Sequence, residues 1–102
     1  MKKPTRVDYS RNGFRELVAA ARWWRDHHPS KADAFDVEYA AAIDLLKQFP
    51  ETAPIALLRR YKGARVRALL DTGHLVVYRY AKTANLITVV AVRASKATAE
   101  RP

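Results

Sequence analysis

The sequence contains no cysteine and only three glycines among its 102 residues. Without cysteine there is no disulfide framework, no cysteine-ligated zinc site and no thiol nucleophile, and this absence fits a reducing compartment. No apolar run approaches the roughly 20 residues that a helix needs to cross a bilayer. No apolar stretch follows the basic segment 1–6, so no signal peptide is indicated. We therefore expect a cytoplasmic protein that does not act in a membrane.

Acidic residues are also scarce. The chain has 10 aspartates and glutamates against 19 lysines and arginines, which gives a formal net charge of +9. A field of this strength around so small a protein attracts polyanions and acidic partners. The alternative interpretation is a surface charge that serves solubility alone. With 49% hydrophobic residues and room for only one modest core, the chain is expected to form a single domain over residues 1–102.

The first half of the chain predicts a strand followed by two helices. Residues 6–9 alternate between polar and apolar side chains, as a short strand does. Ser10 offers an N-cap to a helix that ends before Pro29, and Ser30 opens a second helix that Pro50 ends. The two helices are predicted to form an antiparallel hairpin. Their apolar stripes consist of Phe14, Leu17, Val18 and Ala21 in the first helix and of Phe35, Tyr39, Ala42, Leu46 and Phe49 in the second.

The second half predicts a three-stranded antiparallel meander. Residues 65–70, 74–80 and 86–92 are rich in β-formers, and Asp71-Thr72-Gly73 supplies turn chemistry. Residues 55–58 fit either an extended piece or a helical turn, and residues 93–102 are expected to form a loose basic tail. The first strand can return to one edge of the meander, with the helices on one face and the other face partly open. The predicted fold class is α+β, in the order β-α-α-β-β-β.

This order and spacing, from Val7 to about Val92, resembles the RelE/ParE toxin superfamily. The resemblance is carried by the helix end Ala41-Ala42-Ile43-Asp44-Leu45-Leu46-Lys47-Gln48-Phe49-Pro50-Glu51, by the central hairpin with Arg67-Ala68-Leu69-Leu70 and Gly73-His74-Leu75-Val76-Val77-Tyr78-Arg79, and by the last strand Ile87-Thr88-Val89-Val90-Ala91-Val92. It implies the toxin of a bacterial toxin–antitoxin pair, neutralised by a small acidic antitoxin whose disordered segment folds around it. The +9 charge suits such a partner.

The resemblance implies one of two targets. RelE-type members cut messenger RNA on the ribosome, whereas ParE-type members poison DNA gyrase. RelE-type members carry an arginine after the Gly-aromatic pair and a tyrosine beyond the last strand, but this chain has Leu75 there and no tyrosine after Tyr80. The incomplete set favours the ParE-type reading. A ribosome-dependent endoribonuclease stays open, as does a non-toxic basic module for binding nucleic acid or protein, or a decayed toxin.

The candidate site is a set of cations on the strands and the preceding loop. Arg65 and Arg67 share one face of their strand, and the position of Arg79 relative to them depends on the hairpin register. Trp23 lies opposite the apolar stripe of its helix, which indicates a contact with an antitoxin or a second copy of the chain. No metal or cofactor is expected. The predicted target- or antitoxin-binding residues are Arg59, Arg60, Lys62, Arg65, Arg67, Arg79, Arg93, Lys96 and Trp23, and the set for a ribonuclease is Arg65, Arg67, Arg79 and His74.

Overall fold

The computed structural model describes residues 5–55 and 59–95. It contains strand β1 (Arg6–Tyr9), helix α1 (Arg11–His27), a 3-10 turn (Pro29–Lys31), helix α2 (Ala34–Gln48), a second 3-10 turn (Arg59–Tyr61), and strands β2 (Arg65–Leu69), β3 (His74–Ala81) and β4 (Leu86–Ala94). The predicted α+β class and the predicted element order are confirmed. Within the described part of the chain, neither helix is both long enough and apolar enough to span a bilayer.

The four strands form one mixed sheet in the order β1-β4-β3-β2. Strands β2, β3 and β4 are the predicted antiparallel meander, and β1 joins the edge of β4 in parallel. A parallel pairing requires a long crossover, and here the two helices lie between the paired strands in the sequence. The register between β3 and β4 shifts at Val77/Tyr78, which marks a bulge.

Helix α1 begins as predicted, but its buried side is rotated from the predicted stripe, of which Leu17 and Ala21 do pack against the core. The Ser10 hydroxyl accepts a hydrogen bond from the Gly13 backbone N–H at 2.9 Å, which confirms the N-cap. The predicted stripe is wrong at two positions, because Phe14 is 58% and Val18 39% exposed. Gly13 and Trp24 are the buried residues of the helix. A side chain at position 13 would overlap the Val89 carbonyl, so the glycine lets α1 approach the backbone of β4 and so decides which side faces the sheet.

Helix α2 begins later than predicted. Pro29–Lys31 forms a 3-10 turn and the α-helix starts only at Ala34, so a start at Ser30 is wrong. The indole N–H of Trp24 donates to the Lys31 carbonyl at 2.8 Å, and this bond holds the connection in its tighter form. At the other end Phe49 follows the helix and is 51% exposed, so it is not part of the buried stripe.

The core consists of two clusters, one on each face of the sheet. The larger cluster lies under the helices and the smaller one lies on the outer face, where the 3-10 turn Arg59–Tyr61 partly covers it. Strand β4 continues through Ala94, so a tail that starts at Arg93 is wrong by two residues. Ile55 pairs with Arg65 in an isolated bridge, whereas 56–58 and 96–102 lie outside the described residues. The larger buried residues of the helix-side cluster are Phe35, Leu46, Leu69, Tyr78 and Ile87, and the outer cluster consists of Tyr61, Ala64, Val77 and Ala91.

Candidate functional site

Helix α1 covers the part of the β4 edge that β1 leaves unpaired. The Ser10 backbone N–H donates to the Val89 carbonyl at 3.0 Å, and the Asn12 side-chain amide donates to the Val90 carbonyl at 3.1 Å. One turn further along, the Glu16 carboxylate accepts the Val92 backbone N–H at 2.9 Å. These bonds satisfy backbone groups that would otherwise be free at a sheet edge. They also fix the end of β4 from which Arg93 projects.

Tyr61 is the centre of the outer face. Its hydroxyl accepts hydrogen bonds from Asn12 Nδ2 at 3.2 Å and from the Arg93 guanidinium at 3.3 Å. The guanidinium of Arg93 lies 5.3 Å from the Tyr61 ring centroid, and that of Arg60 lies 5.9 Å away. Both distances are within the range of a cation–π interaction. Arg93 also lies 3.9 Å from the Glu16 carboxylate, so the phenol and the carboxylate together orient it.

Arg79 joins the same surface from the neighbouring strand. Tyr78 points into the helix-side core, so Arg79 points to the outer face by the alternation of a strand. Its guanidinium donates to the Lys62 carbonyl at 2.9 Å, in a loop that turns at Gly63 with φ +83°. We refer to the exposed cations Arg60, Lys62, Arg79 and Arg93 of this surface as the basic face; Arg60 and Arg93 flank the Tyr61 ring. Such a surface suits phosphate groups or acidic side chains.

Arg65 and Arg67 share a face, as predicted, but it is the helix-side face. They pair with Tyr78 and Val76 of β3, both of which belong to the helix-side cluster. Arg65 donates to the Glu51 and Ala53 carbonyls at 3.1 and 2.7 Å, and so ties the preceding loop to β2. Arg79 lies on the other side of the sheet. The four residues predicted for a ribonuclease are therefore not brought together on one surface.

His74 is buried on the helix side, 3% exposed, with its ring edge-on to Phe35 at 4.9 Å. Burial lowers the pKa of this imidazole, while the Thr72 backbone and the negative charge of Glu38 act in the opposite direction. Its Nδ1 atom has no hydrogen-bond partner among the described residues. A neutral, buried imidazole on this side of the sheet lies apart from the basic face. The geometry places it in the core behind the β2–β3 turn.

Trp23 is 42% exposed, as its position opposite the helix stripe predicted. It stacks on His27 with ring centroids 4.3 Å apart, and it meets His74 edge-on at 6.3 Å. Both tryptophans and all three histidines of the chain line one cleft of about 690 Å³, between the end of α1 and the β2–β3 turn. Among residues 5–55 and 59–95, no three His, Cys, Asp or Glu side chains are arranged to hold a metal ion.

The structure describes the fold position of Arg59 but not the position of Lys96. Arg59 opens the 3-10 turn that leads to Tyr61, and Lys96 lies beyond the last described residue. The sequence reasoning missed Tyr61, because the segment Arg59-Arg60-Tyr61-Lys62-Gly63 was treated as a run of loop cations. An aromatic residue between cations is a known signal of a binding surface. It also missed Asn12 and Glu16, whose i, i+4 spacing places both on one side of α1.

Comparisons with known proteins bear on the fold. No protein-family model matches the sequence, and no curated protein matches it. Among solved structures, a chain of the chromosomal ParDE TA system from P. aeruginosa superimposes with a TM-score of 0.70. The match covers 90% of this chain and 97% of that chain, at 14% sequence identity. The two chains therefore share a fold over nearly their whole lengths.

Proposed function

We propose that this chain is the growth-inhibiting toxin of a type II toxin–antitoxin pair and that a cognate antitoxin neutralises it. The observation that carries the proposal is the fold, which is shared almost end to end with a chain of a ParDE toxin–antitoxin system. The net charge of +9 and the basic face support it, because both suit an acidic partner.

The preferred target is DNA gyrase. Two features support this choice over RNA cleavage. The residues that RelE-type members use are incomplete in the sequence, with Leu75 in place of an arginine. The residues that the sequence analysis predicted for a ribonuclease are divided between the two faces of the sheet; they are Arg65, Arg67, Arg79 and His74. A gyrase-directed toxin needs a surface that binds its target and no catalytic set, and the basic face is that surface.

A ribosome-dependent endoribonuclease is the second candidate, and one contact favours it. The Tyr61 hydroxyl lies 3.3 Å from the Arg93 guanidinium, and the Arg60 guanidinium lies 5.9 Å from the centroid of the Tyr61 ring. RNA cleavage by 2′-OH attack needs a group that moves a proton and cations that stabilise the charge on the pentavalent phosphate. Tyr61 with Arg93 and Arg60 supplies both types of group. This set replaces the one derived from the sequence.

The test is controlled expression of the full chain in a bacterium, with incorporation of labelled thymidine and labelled amino acids followed separately. We expect DNA synthesis to stop first. If protein synthesis stops first and messenger RNA is cleaved, the ribonuclease replaces gyrase poisoning as the function. If growth and both signals stay normal, the toxin proposal is wrong for that host, and the chain is better described as a non-toxic binding module.

Matched variants locate the surface that acts. The double variant Arg79→Ala/Arg93→Ala removes two cations from the basic face and is expected to abolish growth arrest. Arg22→Ala removes an exposed cation from α1 and is expected to leave arrest unchanged. Tyr61→Phe separates the two targets, since it removes only the hydroxyl: arrest persists for a gyrase-directed toxin and is lost for a ribonuclease. Arrest by the double variant at the wild-type level would show that the basic face is not the acting surface.

A further inference from the structure

A groove of about 450 Å³ runs between α2 and β2, on the side of the molecule away from the basic face. Helix α2 contributes Glu38, Ala41, Ala42 and Leu45, and the end of β2 with the following turn contributes residues 67–71. On the outer edge of β2, Pro54 and Ile55 pair with Val66 and Arg65. We refer to this feature as the α2–β2 groove.

Arg67 brings a cation into this groove without an anion to match it. Its Nε atom is buried and has no hydrogen-bond partner among the described residues. The three ion pairs found in the described part of the chain involve Arg25, Arg65 and Arg93, and none of them involves Arg67. Arg67 is half-buried, and a guanidinium N–H that is removed from water without a partner is costly, so a carboxylate that accepts from this Nε would offset that cost.

The one carboxylate that α2 contributes to the groove is already engaged. Glu38 accepts the Asp71 backbone N–H at 2.8 Å, the Thr72 backbone N–H at 3.0 Å and the Thr72 hydroxyl at 2.7 Å. These three bonds hold the β2–β3 turn against α2. Glu38 is therefore a structural clamp. The second carboxylate of the groove, Asp71, is exposed, and no ion pair joins it to Arg67 among the described residues, so Arg67 can pair with a carboxylate of another molecule.

Apart from Arg67 and the two carboxylates, the groove is lined by apolar side chains, several of which are open to solvent. Leu70 is 86% exposed and Leu45 is 37% exposed. Ala41 and Ala68 are also exposed. A cation between exposed leucines fits a peptide in which a carboxylate stands between apolar side chains, since the charge and the apolar surface would be covered together.

The cations of the basic face differ from Arg67 in this respect. Arg79 donates to the Lys62 carbonyl, and Arg93 is held by Glu16 and Tyr61. Their guanidinium groups have partners within the chain, whereas the buried Nε of Arg67 has none in the part of the chain that the structure describes. The two surfaces therefore differ in what they recognise: the basic face suits an extended polyanion, and the α2–β2 groove suits a single carboxylate with apolar neighbours.

We propose that the α2–β2 groove binds a segment of a partner protein in which one Glu or Asp stands between apolar residues. The carboxylate pairs with Arg67, and the flanking apolar side chains cover Leu45 and Leu70. That this partner is the neutralising antitoxin rests on the function proposed above. The recognition of such a segment by the groove does not depend on that function.

The experiment measures binding of two synthetic peptides to the purified full chain by fluorescence anisotropy. The first is a labelled ten-residue peptide of alternating Leu and Glu, and the second has Gln in place of every Glu. Measurements are made at about 0.15 M salt, where attraction between exposed charges beyond about 8 Å is screened. The Glu peptide is expected to bind at least about tenfold more tightly than the Gln peptide, because its charge-assisted bond to Arg67 is lost in the latter.

Arg67→Gln and Arg79→Gln form the matched pair of variants, because they remove the same side chain from opposite faces of the sheet. Arg67→Gln is expected to weaken binding of the Glu peptide about tenfold or more, and Arg79→Gln is expected to weaken it by less than about twofold. Leu70→Ser changes an exposed side chain and is expected to weaken binding several-fold without altering the fold. Arg67→Gln should unfold at the same temperature as the wild type or a higher one, because it removes an uncompensated charge.

Three results would overturn the groove: no binding of the Glu peptide, equal binding of both peptides, or equal losses in Arg67→Gln and Arg79→Gln. Equal losses would mean that the peptide binds the cationic surface in general. The assay uses no living cell, so its failure is distinct from failure of the toxin proposal. A chain that arrests growth but shows equal losses keeps its function and loses this site, whereas a harmless chain with the expected losses keeps the groove.

Discussion

The two faces of the sheet differ in what packs on them and in what they expose. The helix side buries large side chains between the helices and the sheet, among them Phe35 and Leu46 of α2 and Tyr78 of β3. The outer side has a small cluster around Tyr61 and Val77, covered in part by one 3-10 turn and surrounded by cations. Apolar burial is the main source of stability, so the helix side is expected to hold the fold together while the outer side presents charge.

A single step along β3 separates the two roles. Tyr78 is fully buried and its hydroxyl donates to the Pro50 carbonyl at 2.8 Å. The next residue, Arg79, is exposed on the outer face and donates to the Lys62 carbonyl. Pro50 and Lys62 lie near the two ends of the connection between α2 and β2. Adjacent side chains of β3 thus bind these two ends on opposite faces of the sheet. Residues that stabilise the fold and residues that can bind a partner alternate along the same strand.

The largest expected difference between the faces concerns core truncation. Leu46→Ala on the helix side should lower the free energy of unfolding by about 3 kcal/mol, because Leu46 is fully buried and the cavity would not close. Val66→Ala should lower it by about 1 kcal/mol, because Val66 is half-buried and packs against the outer cluster. Urea denaturation of both variants gives the two values. Equal losses would mean that the outer cluster carries as much of the stability as the helix side.

Two of the three glycines, Gly13 and Gly63, sharpen the same comparison. Gly13→Ala gains roughly 1 kcal/mol of helix propensity but forces its methyl group into the Val89 carbonyl, so we expect a net loss of about 2 kcal/mol. Gly63→Ala meets no close atom, and its positive φ of 83° should cost only about 1 kcal/mol. Thermal and urea unfolding test both values. A Gly13→Ala variant as stable as the wild type would show that α1 does not depend on this close approach.

The smallest effect depends on pH and involves His74. Its folded-state pKa lies below the ordinary value of 6.5, so below pH 6.5 the unfolded chain binds more protons than the folded one. The contribution of neutral His74 to the free energy of unfolding should be fully present above pH 6.5. It should fall, by up to about 1.4 kcal/mol per pH unit, as the pH drops towards the folded-state pKa. Urea midpoints between pH 7 and pH 5 would measure this fall. This loss of stability at low pH should be smaller in His74→Gln and should persist in His27→Gln, because His27 is exposed. An unchanged loss in His74→Gln would mean that other groups cause it.

Local signals were sufficient for most of the fold. Alternation predicted β1 and β2, enrichment in β-forming residues predicted β3 and β4, and Ser10 and Pro29 gave the bounds of α1. These features depend on neighbouring residues alone, which is why a single sequence carries them. The start of α2 was missed because the Trp24 indole holds the Lys31 carbonyl, a contact that follows from tertiary packing.

The candidate site was predicted less well than the fold, for a physical reason. The cations themselves are plain in the sequence, but the face that each occupies depends on strand register and on which helix side is buried. Arg65 and Arg67 were correctly placed together, and the helix side was the face that they took. Tyr61 became central only because α1 brings Asn12 beside it across 49 positions of sequence.

The sequence by itself determined the net charge of this protein, its α+β class and the order of its elements, because charge, periodicity and turn chemistry can be read from the sequence without knowing the packing. The tertiary structure alone decided that Arg93 meets Tyr61 and that Arg79 binds the Lys62 carbonyl on the same face, that His74 is buried, and that the buried Nε of Arg67 has no partner among the described residues. Those outcomes depend on the close approach of α1 to β4 at Gly13 and on the pairing of β2 with β3. Contacts between residues far apart in sequence are fixed only when the sheet and the helices pack.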